Sequence, residues 1–171
     1  MNAFIAEYKR YKGLVEKTIE QVSDDDLFRQ IGEQGNSIAI ILKHISGNLI
    51  SRFTDFLTSD GEKEWRDRES EFHIENKDRS GLLEMWNTAW EVMEKFVFPL
   101  AKDDMQKTVQ IRGVQFTVEE ALYRSVAHFS YHVGQIVFAA KYFAGHNWRY
   151  LSIPPDGSKK YNENPTKERG V

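Results

Sequence analysis

Three histidines carry the chemistry most readily read from this chain. His128 and His132 stand four residues apart in Ala127-His128-Phe129-Ser130-Tyr131-His132, inside a stretch with helical periodicity. One helical turn separates them by about 6 Å along the axis, and both imidazoles leave the helix on the same side. Two ring nitrogens so placed can meet one ion at the roughly 2.1 Å of a Zn–N bond. The pair also shares a face with apolar Ala121, Ile136 and Ala139, where histidines are costly unless hydrogen-bonded or metallated. Taken alone, this spacing fits two separately satisfied core histidines as well as it fits a metal pair. A thermolysin-type zinc protease needs Glu directly after the first His, and this chain has Phe129 there.

His44 shifts the balance. At helical spacing it lines up with Ser37, Ile41, Asn48, Arg52 and Asp55, so a polar line runs beside an apolar stripe, as in the wall of a pocket. Three neutral imidazoles from two helices would leave coordination positions open, as a catalytic rather than a structural metal site requires. Such a set suits Zn, Ni, Fe or Cu. Asn48, Arg52 and Gln135 are the candidate catalytic or substrate-orienting residues. Arg52, on the helix of His44, is the best placed of Arg52, Arg66 and Arg68 to fork onto an anionic substrate. Arg66 and Arg68 read rather as solvated loop charges. Gln135, one residue off a full turn from His132, is placed to hydrogen-bond a ligand or a group lying behind the metal ligands. Asp60, Glu64 and Glu71 are general-base candidates whose commoner reading is exposed charge. His73 and His146 read as surface residues. Trp86 and Trp90 read as core, and Trp65 as core or as a ring that closes over a pocket.

Composition narrows the chemistry further. The chain of 171 residues has no cysteine, which excludes disulfides, thiolate ligands and a cysteine nucleophile, so any thiol must arrive as a ligand. A net charge of −3 and a pI near 6.0 argue against nucleic acid or an anionic membrane as partner. The longest apolar runs, Ser37 to Leu42 and Val92 to Ala101, are too short to span a bilayer. Met1 to Glu20 lacks a signal-peptide pattern, so the expected location is the cytoplasm.

The elements that must position these residues follow from periodicity. Phe4, Tyr8, Tyr11, Val15, Ile19 and Val22 predict a helix over 2–22, and Ser23 followed by Asp24, Asp25 and Asp26 predicts a capped short one. Asn36 or Ser37 caps a helix to about Thr58 with the stripe Ile38, Ile41, Leu42, Ile45, Leu49, Phe53 and Phe56. Residues 59–79 form a charged loop of about twenty residues, a length usually reserved for function. Ser80 is the expected cap of a third helix ending near Pro99 to Ala101. Thr108 to Phe116, centred on Arg112-Gly113, predicts a β-hairpin. The capping box Thr117-Val118-Glu119-Glu120 opens a last helix to about Phe143, stopped by Gly145. Residues 152–171 read as an extended tail. The fold class is all-α: a four-helix bundle domain over 1–151 with a long loop and a small hairpin.

The run Asn36-Ser-Ile-Ala-Ile-Ile-Leu-Lys-His44-Ile-Ser-Gly-Asn48, the loop Asp60-Gly-Glu-Lys-Glu-Trp-Arg-Asp-Arg68, and then His128 and His132 resemble the DinB/YfiT-like superfamily, more narrowly an uncharacterised branch of it. The resemblance covers nearly the whole chain apart from the tail. It implies an up-down-down-up four-helix bundle, frequently a homodimer, with His44, His128 and His132 as ligands of Zn or Ni. It also implies kinship with thiol-dependent transferases and isomerases and with metal-dependent hydrolases. The expected function is a divalent-metal-dependent enzyme acting on a small molecule, as a thiol-dependent transferase or a hydrolase. The metal would lower the pKa of a bound water or of a low-molecular-weight thiol cosubstrate. The alternative is a non-catalytic, metal-stabilised module that binds a ligand or serves a stress response. A third reading is a helical dimer whose histidines only hydrogen-bond.

Overall fold

A computed structural model describes residues 2–164; the last seven positions of the expected tail, 165–171, lie outside the described residues. In chain order the helices are α1 (Asn2–Ile19), α2 (Asp24–Phe28), α3 (Ile38–Phe53), α4 (Arg79–Phe96), α5 (Val118–Ala144) and α6 (Ser158–Asn162). Between α4 and α5, β1 (Thr108–Ile111) and β2 (Val114–Thr117) form an antiparallel hairpin, with Val109 opposite Phe116 and Ile111 opposite Val114. The protein is mostly helical, with this small two-stranded sheet.

Local chemistry sets most boundaries. Ser37 Oγ accepts from the Ile40 amide at 3.2 Å and starts α3. Thr117 Oγ1 accepts from the Glu120 amide at 3.1 Å while Glu120 Oε2 accepts from the Thr117 amide at 2.8 Å, a reciprocal cap for α5. Gly145, at φ 53°, ends that helix as expected. Three expectations change. The helix bearing His44 stops at Phe53, where the Thr54 hydroxyl bonds back to the Ile50 carbonyl at 2.7 Å and the chain turns extended. The cap of α4 is Asp78, whose side chain accepts from the Gly81 amide at 3.1 Å, so Ser80 lies within the helix. The expected extended tail contains the short α6 instead.

α3 packs against both α4 and α5, and α1 packs against α5. Phe129 of α5 is the ring on which these helices meet. Its centroid lies 5.9 Å from that of Tyr8 and 6.1 Å from that of Tyr11, both on α1. From α4, Trp86 stacks on it at 6.1 Å and Trp90 stands edge-on at 5.9 Å. Ile38, Leu42, Ile45 and Leu49 supply the aliphatic side of the same core from α3.

The segment between α3 and α4 is pinned rather than loose. Lys43 Nζ donates to the carbonyls of Ser70 and His73 at 2.7 and 3.0 Å, and Ser51 Oγ donates to the Gly61 carbonyl at 3.1 Å. Asp60 joins it to the hairpin by accepting from the amides of Arg112 and Gly113 at 2.8 and 2.7 Å. Those two turn residues sit at φ 55° and 74°, the pair of positive values that a two-residue hairpin turn demands.

Phe129→Ala empties the ring's seat beneath four aromatic neighbours and is expected to cost about 3–5 kcal/mol. Urea denaturation measures this; a loss under 1 kcal/mol would show that the ring is not central.

Candidate metal centre

α3 and α5 bring the three histidines together. His128 Nε2 lies 3.4 Å from His44 Nε2 and 3.1 Å from His132 Nε2. One nitrogen from each ring falls within 4.8 Å of the others, a group that could hold a metal ion. Around an ion with about 2.1 Å bonds, neighbouring nitrogens stand about 3.0 Å apart in octahedral geometry and about 3.4 Å in tetrahedral geometry. The observed separations span that interval.

Outer partners fix which nitrogens face inward. His44 Nδ1 donates to Glu71 Oε2 at 2.8 Å, and His132 Nδ1 donates to Gln135 Oε1 at 2.7 Å. With the proton committed to Nδ1, each Nε2 presents a lone pair toward His128. Glu71 is only 3% exposed and is held in turn by Arg66, whose Nε and Nη2 donate to its two oxygens at 2.8 and 2.9 Å. Arg66–Glu71–His44 is therefore a continuous buried chain of charge-assisted bonds. Burial pushes the Glu71 carboxyl up, but the hydrogen bonds from His44 and Arg66 outweigh it and leave its pKa below the ordinary value.

His128 has no such acceptor. Burial, and then the neighbouring His132 and His44, push its pKa down from 6.5 to about 4. Burial likewise lowers His132, against the raising effect of Gln135. His128 and His132 are thus neutral imidazoles near pH 7, the protonation state in which histidine ligates metal.

Beside it lies a cavity of about 610 Å³ lined by His44, Asn48, Arg52, Ser125 and His128, with the hairpin contributing Ile111, Val114 and Phe116. Asn48 and Arg52 thus sit on the cavity wall, one and two turns along α3 from His44, while Gln135 contacts His132. Arg68 lines the cavity as well, pairing with Glu69 at 3.1 Å. Other sequence candidates lie elsewhere. Asp60 braces the hairpin turn, Glu64 is exposed, and Trp65, at 61% exposure, is not among the residues lining this cavity. His73 and His146 are exposed.

Sequence reasoning underrated Glu71 and Arg66, read as solvated charge and found buried, and it passed over Gly47. A Cβ on Gly47 would stand 2.3 Å from Glu71 Oε1, so the glycine is what lets the loop carboxylate reach His44. A glycine on the buried face of an apolar helix is the signal that could have pointed there.

The fold and site define a mostly helical protein with a partly buried three-histidine group able to hold a metal, and no described helix is long and apolar enough to cross a membrane. Residues 1–157 match a family model described as "Protein of unknown function (DUF1572)", and the chain belongs to this family. No curated protein and no solved structure matches it.

Gly47→Ala should gain up to about 1 kcal/mol in helix propensity, yet a net loss of stability is expected because Glu71 is displaced; a stabilised variant in urea would refute the close approach. In metal-free protein, the unfolded chain takes up a proton at His128 near pH 6.5 and the folded chain only near pH 4. The stability this contributes is therefore present above pH 6.5 and lost as pH falls toward 4. Urea midpoints across that range should fall, and fall less in His128→Gln; equal slopes would contradict the burial of His128.

Proposed function

We propose that this chain is a divalent-metal-dependent enzyme, with His44, His128 and His132 as ligands of Zn or Ni, that transfers a low-molecular-weight thiol to a small-molecule electrophile. The observation that carries the reading is the convergence of three Nε2 atoms, at 3.1 and 3.4 Å, beside an open cavity. A purely structural metal site would be closed on all sides. When bound, a divalent ion acidifies a thiol or water and so supplies a nucleophile near neutral pH.

The chain's own residues do the rest. Glu71 and Gln135 orient the imidazoles of His44 and His132. Asn48, one turn from His44, offers its amide to a polar group of the substrate. The hairpin residues Ile111, Val114 and Phe116 give the cavity an apolar side. Among the described residues no carboxylate lines the cavity, so a general base for water is lacking there. That favours a thiol, which the metal can ionise unaided, over hydrolysis, the second reading. A non-catalytic ligand-binding module is the third.

The fold reading that accompanies this function is an up-down-down-up bundle of α1, α3, α4 and α5, DinB-like, with a domain over 1–151 and a tail over 152–171, acting in the cytoplasm. Homodimerisation through α5 fits its exposed aromatic strip: Tyr131, Phe138 and Tyr142 lie along one face and are 64–68% exposed.

Purified protein is expected to carry about one equivalent of metal, lost in His128→Ala. Assayed against electrophiles, the loaded protein should turn over only when a small thiol is added. Turnover with water alone selects the hydrolase, and turnover with neither selects the binding module. Protein without stoichiometric metal, whose melting temperature ignores EDTA, would sink the metal reading altogether.

A further inference from the structure

The polar lining of the cavity is strongly one-sided. Arg52, Arg66, Arg68, Arg112 and Arg124 all reach it. Three of them are already engaged: Arg66 with Glu71, Arg68 with Glu69, and Arg112 with Glu62 at 3.2 Å. Among the described residues, Arg52 and Arg124 have no carboxylate within ion-pairing distance.

Arg52 differs from Arg124, which stands exposed at the rim. Burial pulls the Arg52 guanidinium below its ordinary pKa, and its Nη1 is buried without a hydrogen-bond partner. Two buried hydroxyls beside it have no partner but each other: Ser125 Oγ, on the cavity wall, and Tyr8 Oη, on a side chain of 0% exposure. Arg52 and Ser125 are the polar groups that face the Tyr8 phenol. Native interiors rarely leave such a donor unsatisfied, and a partnerless guanidinium beside a hydroxyl pair marks a place for an absent acceptor. Arg52 also packs closely on the loop: a Cβ on Gly61 would stand 3.0 Å from its Cδ.

We propose that Arg52, Ser125 and Tyr8 form a receptor for one acidic group of the substrate, a carboxylate or phosphate, with Arg124 drawing the anion in from the rim. This rests on the cavity being the substrate site. An oxyanion supplies the acceptor that the guanidinium and the hydroxyl pair lack, and the guanidinium binds it by charge-assisted bonds. Along α3, Arg52 follows His44 by two turns, about 12 Å, while on α5 Ser125 precedes His128 by about 4.5 Å. The substrate is therefore a small organic acid whose reacting centre lies several bonds from its acidic group.

The test is titration calorimetry with inorganic phosphate and with glutarate at constant ionic strength, on protein as purified and after chelation, with Arg52→Met, Tyr8→Phe and Ser125→Ala. At least one anion should bind, with affinity falling about tenfold or more in Arg52→Met and by a smaller factor in the two hydroxyl variants. The tighter of the two names the acidic group. Tyr8→Phe should shift the melting temperature little, because it removes a hydroxyl whose one partner is Ser125 and no volume; a marked fall with binding intact would make that hydroxyl structural and overturn the receptor. Absence of binding by both anions, or equal binding by Arg52→Met, also overturns it. Binding that vanishes on chelation while ignoring Arg52 places the anion on the metal and refutes the receptor alone. Arg52-dependent binding that survives chelation supports the receptor, and metal content then judges the metal reading separately.

Discussion

The packing of Phe129 is the constraint on which the site depends. Its ring faces Tyr8 and Tyr11 from α1 and Trp86 and Trp90 from α4, which fixes the rotation of α5 about its own axis. His128 precedes it by one residue, about 100° around the helix, and His132 follows His128 by one turn. Once the aromatic ring is seated, both imidazoles must leave α5 toward α3, where His44 stands. A helix that slid or rolled to repack Phe129 would carry two of the three nitrogens with it. The core and the histidine group are two faces of one helix, so the geometry of that group inherits its precision from hydrophobic packing.

Electrostatics then divides the pocket into unlike halves. Around the histidines, burial and neighbouring positive charge keep protons off, and Glu71 is the one carboxylate in contact with them among the described residues. Its own charge is largely answered by Arg66. Farther along the cavity stand the remaining arginines. A cation entering the histidine cluster would add to a field already positive, and an anionic substrate would relieve both at once. Ion and substrate would then favour each other's binding by charge alone.

Much of this was legible in the sequence. The 3.6-residue rhythm of α3 and α5, the Ser37 cap, the Thr117–Glu120 box and the Arg112-Gly113 turn are local signals with local causes, and the four-residue spacing of His128 and His132 is a property of one helix. The family match over 1–157 agrees with the reading of an uncharacterised domain. What escaped were facts of tertiary contact. Nothing in the charged run 59–79 distinguishes Glu71 from Glu64, since burial is decided by Gly47 and Lys43 on another element. The meeting of the partnerless Arg52 guanidinium with the Ser125 and Tyr8 hydroxyls joins three helices and has no signature in any one of them. Ser80 in place of Asp78 as a cap was a choice between two good capping residues two positions apart, which composition alone does not resolve.

The buried carboxylate that steadies His44 comes from a loop rather than from a helix, and this sets a kinetic hierarchy. α3 and α5 can hold their imidazoles in register while the stretch from Thr54 to Asp78 is detached, but His44 then loses the acceptor that assigns its proton to Nδ1. Segments of this kind open by local unfolding at free energies well below that of the whole domain. The lifetime of anything bound by the three histidines would therefore be governed by loop opening and not by global unfolding. The Lys43 clamp on Ser70 and His73 would then act as the latch, an ammonium on α3 that opposes that opening.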